Sequence, residues 1–306
     1  MLILFQIFIL LFAPFLFLGI INRVKAIWAG KKGSPIFQPF FDFQKLLRKN
    51  EVISKTTSFV FRIAPTFNLA AVIFAFLLIP IPSFGSTISF NGDFILFTYI
   101  LGLAKFLMVL AALDTGSSFE GMGASREVTF SSIVEPAFFI LIGTLALLTG
   151  QTSFASIFSM LNSSAGYTEL IEILFVAALF IMILTEGSRV PVDDPNTHLE
   201  LTMIHEVMVL DYSGPDLGFI LYSAGMKMVL LAVLAANLII PENFSVAYTA
   251  IFLLLIIFIT SVLIGIVESL IARARMSHVP QFIFLMTALS FIAFAVVIFF
   301  LRGGIK

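Results

Sequence analysis

The ionisable residues of this chain are few and gathered. One stretch, TEGSRVPVDDPNTHLELTMIHEVMVLDYSGPD, carries Glu186, Asp193, Asp194, Glu200, Glu206, Asp211 and Asp216, with Arg189, His198 and His205 among them. Imidazole and carboxylate in one cavity can relay protons near neutral pH, because His is the side chain whose ordinary pKa lies there. The local pattern offers a frame. Pro195 with Asn196 or Thr197 can start a short helix, with Asp193 and Asp194 near its positive end. His198, Thr202 and His205 then share a face, Glu206 lies beside them, and Leu199, Met203 and Val207 form an apolar side. Such a helix is too polar to span a membrane and too apolar to float free, so it should lie against other helices or a partner. The competing reading is that these residues cap helix ends and pair with Arg189. His205-Glu206 is not a zinc protease motif, because the second His of H-E-x-x-H is missing.

A second polar stretch, LDTGSSFEGMGASREVTFSSIVEP over 113–136, holds Asp114, Glu120, Arg126, Glu127 and Glu135. Lys105 and Lys227 fall inside apolar runs. A lysine at that depth pairs with a carboxylate, lines water or snorkels to an interface. Glu135 and Glu186 are the acids placed to receive them. Glu172 and Glu186, 14 residues apart on one helix face, read either as two ends of a proton path or as ordinary end-of-helix charge. The proton-coupling candidates are therefore Glu186, Arg189, Asp193, Asp194, His198, Glu200, His205, Glu206, Asp211, Glu135, Glu127, Arg126, Asp114, Lys105 and Lys227.

The elements that must position these groups are set by composition. The chain has 306 residues, 60% of them hydrophobic and 11% charged, with a mean hydropathy of +1.11. A soluble domain is about 25% charged and under half apolar, so the fold expected is all-α, a polytopic membrane bundle. Runs near the 20 or so residues that a span needs occur at 2–22, 60–82, 94–113, 132–150, 168–186, 217–240, 247–269 and 280–301, which gives about eight spans in a single membrane domain. The first reads as an uncleaved span rather than a signal peptide. The 37 phenylalanines read as lipid-facing bulk. No internal repeat or pair of matched, interrupted spans is visible.

Charge gives the orientation. Arg23, Lys25, Lys31, Lys32, Lys45, Arg48, Lys49 and Lys55 follow the first span, and Arg126, Arg189, Arg273 and Arg275 follow the third, fifth and seventh. The loops after the second, fourth and sixth spans hold no Lys or Arg. The positive-inside rule places the segments 23–58, 114–131, 187–216 and 270–279 in the cytoplasm and both termini on the outer side of the inner membrane. The stretch 151–166 reads as an outer loop, and Phe37 to Glu51 as an amphipathic helix at the cytoplasmic interface. Cysteine is absent, which excludes disulfides, thiol nucleophiles and iron–sulfur clusters held by this chain. With few histidines, any redox metal is expected on a partner. A net charge of −1 gives no field for nucleic acid.

Four stretches together carry a resemblance. GSPIFQPFFDFQKLLRKNE looks like a G-P-x-x-x-x-Q-P-x-x-D-x-x-K-L pattern, IAPTFNLAAVIFAFLLIPI like a second span, GASREVTFSSIVEP like an A-x-R loop followed by a glutamate, and EGSRVPVDDPNTHLELTMIHEVMVLDYSGPDLGF like an E-x-x-R-x-P-x-D segment with a Y-S-G turn. All four patterns belong to the subunit that links the membrane arm to the redox arm in complex I and its relatives. Where quinone-reducing enzymes continue into E-S-E-L and a shorter F-x-x-E-Y-S-G, this chain reads THLELTMIHEVMVLDYSG. That form is similar to the matching subunit of energy-converting, membrane-bound nickel–iron hydrogenases, including formate hydrogenlyase. The resemblance implies a non-catalytic membrane anchor for cytoplasmic hydrogenase large and small subunits and iron–sulfur proteins, beside antiporter-like membrane subunits. It implies that nickel–iron and iron–sulfur centres sit on those partners, and that redox energy passes to proton or sodium ion movement. It also implies that Glu186, Arg189, Asp193, Asp194, Glu200 and Glu206 line the coupling cavity. That cavity holds quinone in complex I, whereas a hydrogenase needs none. The alternatives are the corresponding subunit of an NADH:quinone oxidoreductase, a transporter or channel working alone, and an anchor with no part in ion movement.

Overall fold

The computed structural model describes residues 2–161, 168–194, 203–241, 244–272 and 274–303. They form ten α-helices: α1 (Leu2–Trp28), α2 (Gln38–Leu47), α3 (Phe59–Leu78), α4 (Asp93–Asp114), α5 (Ser118–Thr149), α6 (Phe154–Leu161), α7 (Thr168–Glu186), α8 (Gly214–Ile239), α9 (Val246–Leu270) and α10 (Val279–Gly303). A 3-10 turn over Glu206–Val209 precedes α8. Helices are what such apolar runs must form, because hydrocarbon offers no partner for a backbone N–H or C=O. Seven of them, α1, α3, α4, α5, α8, α9 and α10, are long and apolar enough to cross a membrane. The eighth expected span is α7, whose 19 residues include three acids, Glu169, Glu172 and Glu186.

Burial identifies the centre. In α8, 78% of the apolar window is buried, against 28% in α9 and in α10. It touches α1, α2, α3, α6, α7 and α9. From α8 a closed series of neighbours runs through α3, α4, α5, α10 and α7 back to α8, while α1 carries α2 and α9. Links at the two ends are tied separately. At one end the Gly92 N–H donates to Thr152 O at 2.8 Å, and Ser83 bonds Thr249 and Phe244 O. At the other end the Ser58 N–H donates to Asp114 Oδ2 at 2.6 Å, the Val52 N–H to Ser213 Oγ at 2.9 Å, and the Ala274 N–H to Pro191 O at 3.1 Å.

Several elements differ from their sequence reading. The segment 114–131, read as a loop, is helical from Ser118 onward and continues through Pro136 without a break. Its Glu120, Gly123, Ala124, Glu127 and Phe130 are buried at helical spacing, so the polar residues form an inward stripe. The stretch 151–166, read as an outer loop, contains α6, which buries Phe154, Ile157, Phe158 and Leu161. Asp93 holds its start, accepting from the Phe154 N–H at 2.8 Å and Ser153 Oγ at 2.9 Å. Phenylalanine is not simply lipid-facing bulk: Phe17, Phe61, Phe76, Phe97, Phe138, Phe154 and Phe175 are fully buried. The expected amphipathic helix is α2, anchored by Phe40 and Phe43, whose rings lie 5.3 Å from Phe15 and 5.2 Å from Tyr222.

Candidate functional site

Four helices each send a charged side chain to one buried place. Lys105 of α4 has its Nζ 2.5 Å from Glu186 Oε1 on α7 and 3.4 Å from Glu127 Oε1 on α5. Lys227 of α8 lies 3.5 Å from Glu186 Oε2. Both lysines therefore pair, and neither snorkels. Glu186 receives both, as the sequence suggested, but the second acid is Glu127 rather than Glu135. Glu135 stands one side chain away, lining with Lys105, Glu186 and Lys227 a space of about 30 Å³, large enough for a water. Charges this deep persist because each faces opposite charge at contact distance.

The chain of charge continues into the link between α7 and α8. His205 Nε2 is 3.1 Å from Glu127 Oε2, and His205 Nδ1 is 3.9 Å from Asp193 Oδ2. Burial alone would push this imidazole down, but the Glu127 and Asp193 carboxylates outweigh it and the ring is pushed up to about 10. The ring is held charged by its neighbours. Asp193, wholly buried, accepts from the N–H groups of Asp194, Ile204 and His205 at 3.0–3.1 Å. Arg126 donates to Met203 O at 2.7 Å. Gly123 lets this segment close on α5: a Cβ there would fall against Val207 and 2.9 Å from Ile204 O.

A second cluster joins α1, α9 and the same link. Glu268 of α9 has Oε1 3.4 Å from Arg189 Nη1 and Oε2 2.7 Å from Lys25 Nζ. Arg189 and Glu206 line a cavity of about 360 Å³ between α1, α2 and α8, whose walls include Phe15, Leu18, Tyr222 and Met228. Among the described residues no group of three or more His, Asp or Glu side chains has the geometry of a metal site.

The remaining candidates are dispersed. Asp114 caps α3 through Ser58, a structural role. Asp211 is exposed, and only its backbone N–H points inward, to Glu120 Oε1 at 3.1 Å. Beside it Tyr212 donates its O–H to Phe61 O at 2.9 Å, and burial, with the acids Asp216, Glu120 and Asp114, raises its phenol. Asp194 adjoins Asp193 without reaching the lysines by any ion pair of the central chain. His198 and Glu200, with the helix expected to start at 195–197, lie outside the described residues; Met203 and Val207 of its apolar side are buried. Glu172 makes no ion pair among the described residues, and about 21 Å of helix separates it from Glu186. Glu268 and the wholly buried Glu120 are site-forming acids that sequence reasoning passed over. The signal for Glu268 was its position: one acid in the last turn of a helix otherwise apolar from Val246.

Compared with known proteins, residues 1–299 match the model of the NADH dehydrogenase family. The chain is 30% identical over 297 residues to hydrogenase-4 component C of Escherichia coli (strain K12), spanning 94% of this chain and 93% of that protein. It is 25% identical to formate hydrogenlyase subunit 4 of the same organism, over 90% of this chain and 91% of the relative. A membrane-complex relative from Rickettsia prowazekii (strain Madrid E), one of the subunits of its NADH-quinone oxidoreductase, is 24% identical over 66% of this chain and 59% of its own length. The fold is shared with a chain of the membrane-bound sulfane sulfur reductase, an archaeal respiratory membrane complex, at a TM-score of 0.81 and 21% identity, over 97% of this chain and 99% of that one.

Proposed function

We infer the function from one premise: the chain belongs to the NADH dehydrogenase family, which its sequence matches over residues 1–299. It is a multi-pass membrane subunit of a multisubunit complex. We propose that the complex is an energy-converting nickel–iron hydrogenase of the formate hydrogenlyase kind, in which this subunit anchors the cytoplasmic hydrogenase subunits and iron–sulfur proteins. Nickel–iron and iron–sulfur centres belong to those partners. This chain carries out no covalent chemistry. It passes redox energy to proton or sodium ion movement in antiporter-like neighbours.

The observation that supports this reading is the unbroken line of charge from the α7–α8 link to α8: Asp193, His205, Glu127, Lys105, Glu186, Lys227. A unit change of charge at 4 Å is worth about 4 kcal/mol at an effective dielectric of about 20, enough to move a proton equilibrium about a thousandfold. Reduction in a partner docked at the link changes the charge that His205 feels. Glu127 then answers to Lys105 more or less strongly, and Lys105 redistributes between Glu127 and Glu186. Lys227 receives the change last, on the helix that touches most others.

Replacing Glu127 by Gln in the intact complex keeps the shape and removes the shared charge. Ion uptake into inverted vesicles per hydrogen formed should fall at least tenfold while the complex still assembles. Undiminished uptake would overturn the assignment. A second reading, a quinone-linked dehydrogenase subunit, is favoured by the 360 Å³ apolar-walled cavity with Arg189 and Glu206 on its lining. Affinity purification through a tag on this chain separates the two. Nickel without flavin supports the hydrogenase, and flavin with quinone supports the dehydrogenase.

A further inference from the structure

The two ion clusters meet in one short turn. Glu186 ends α7 inside the central chain, and three residues later Arg189 belongs to the cluster on α9. The turn between them is hydrogen-bonded throughout. The Arg189 N–H donates to Leu184 O at 2.9 Å, and the Arg189 carbonyl accepts from Val192 at 2.9 Å and Asp193 at 3.2 Å. The place of the guanidinium and the aim of the Asp193 carboxylate are thus fixed by the same backbone. Asp193 holds the Ile204 and His205 N–H groups, and His205 rests on Glu127. A displacement at Arg189 reaches the imidazole through bonded neighbours at every step.

What fixes Arg189 is Glu268. Its side chain is fully buried, in a helix whose mean hydropathy, 3.1, is the highest of the candidate spans. An acid in such a helix is costly. A purely structural acid needs one cation, but this carboxylate has two, Lys25 and Arg189. The cluster is left with more positive than negative charge, and the buried Arg189 Nε has no hydrogen-bond partner among the described residues. Arg189 itself lines the cavity between α1, α2 and α8.

We propose that Glu268 is a positioning residue for ion coupling: through Arg189 and the 189–193 turn it sets where His205 stands against Glu127, and so ties the cavity to the central chain. The inference rests on the coupling role proposed above. Its test is a double-mutant cycle in the intact complex, reading ions moved per hydrogen formed, with assembly checked on native gels. Glu268→Gln in the native background should lower that ratio about fivefold. In a His205→Gln background the same substitution should cost nothing further, because the link it acts through is already cut. Glu268→Asp keeps the charge and should restore most of the ratio. Independent, additive losses would overturn the inference, as would an unchanged ratio in Glu268→Gln. Should Glu268→Gln fail to assemble, Glu268→Asp carries the same cycle, with a loss of about twofold alone and none in the His205→Gln background; additive losses overturn it there too. If His205→Gln and Glu127→Gln themselves leave the ratio intact, the coupling role fails. If they lower it and Glu268→Gln does not, only the positioning role fails.

Discussion

At the residue scale the site is built on shared charge. Lys105 serves two acids and Glu186 serves two cations, so no member can be lost without unbalancing another. Lys105→Met removes the group common to Glu127 and Glu186 and should destabilise the purified complex by about 3–5 kcal/mol, the cost of breaking a buried pair. Lys227→Met should cost less, because Glu186 keeps Lys105 at 2.5 Å. Thermal unfolding in mild detergent checks the order, and a larger loss from Lys227→Met would refute it. His205 gives a pH signature. Its folded pKa, about 10, stands above its ordinary 6.5. The stabilisation from its charged form is therefore complete below about pH 6.5 and disappears as pH rises through about 10. Melting temperature should decline over that window in the native protein and decline less in His205→Gln. Equal slopes in both would show that the imidazole is not held charged.

At the scale of elements, close approach decides what the helices can carry. Gly265 lets α9 lie on α1: a Cβ there would fall 2.8 Å from Val24 Cβ and 3.2 Å from Ile21 O. Val24 is β-branched and cannot swing aside. Gly265→Ala should cost about 1–3 kcal/mol by overpacking and weaken the contact of Glu268 with Lys25, one turn away. Gly143→Ala, where nothing lies within 4 Å of the added carbon, is the control and should leave the melting temperature unchanged or slightly raised. The same contrast explains what could be read without coordinates. The apolar runs marked the long helices because length and hydropathy are local properties. The segment 118–131 was missed as helix because its Ser, Glu and Arg residues resemble a loop in composition, while their burial on α4 and the 3-10 turn is a tertiary fact. Lys105, Lys227, Glu186 and His205 were legible as misfits in apolar or polar context. Which acid each cation meets was not, since Glu127 and Glu135 are two turns apart on one helix and only the packing of α4 chooses between them. Glu268 was illegible for the same reason, as its partners come from α1 and the α7–α8 link.

At the scale of the whole molecule, the two ends of the bundle differ in charge, and that asymmetry carries the coupling argument. The links at 29–37, 48–58, 187–194 and 203–213 lie at the end where Asp114, Ser58, Val52, Ser213, Pro191 and Ala274 are tied together. Lys31, Lys32, Lys45, Arg48, Lys49, Lys55 and Arg275 belong to this end. The opposite end, with Pro80–Gly85, Gly92, Thr152 and Phe244, has Arg302 near the end of α10 as its nearest described base. If basic links stay in the cytoplasm, the His205 end of the relay meets the redox partner and the α8 end lies deeper in the membrane, which is the direction the mechanism needs. The chain has no cysteine, so single thiols can be introduced without background. Asn91→Cys and Lys31→Cys, both exposed, sit at opposite ends. A membrane-impermeant maleimide added to intact cells should label Asn91→Cys and spare Lys31→Cys, which should react only after lysis. The reverse pattern would turn the protein over, put His205 outside, and remove the physical basis for a cytoplasmic redox module driving this relay.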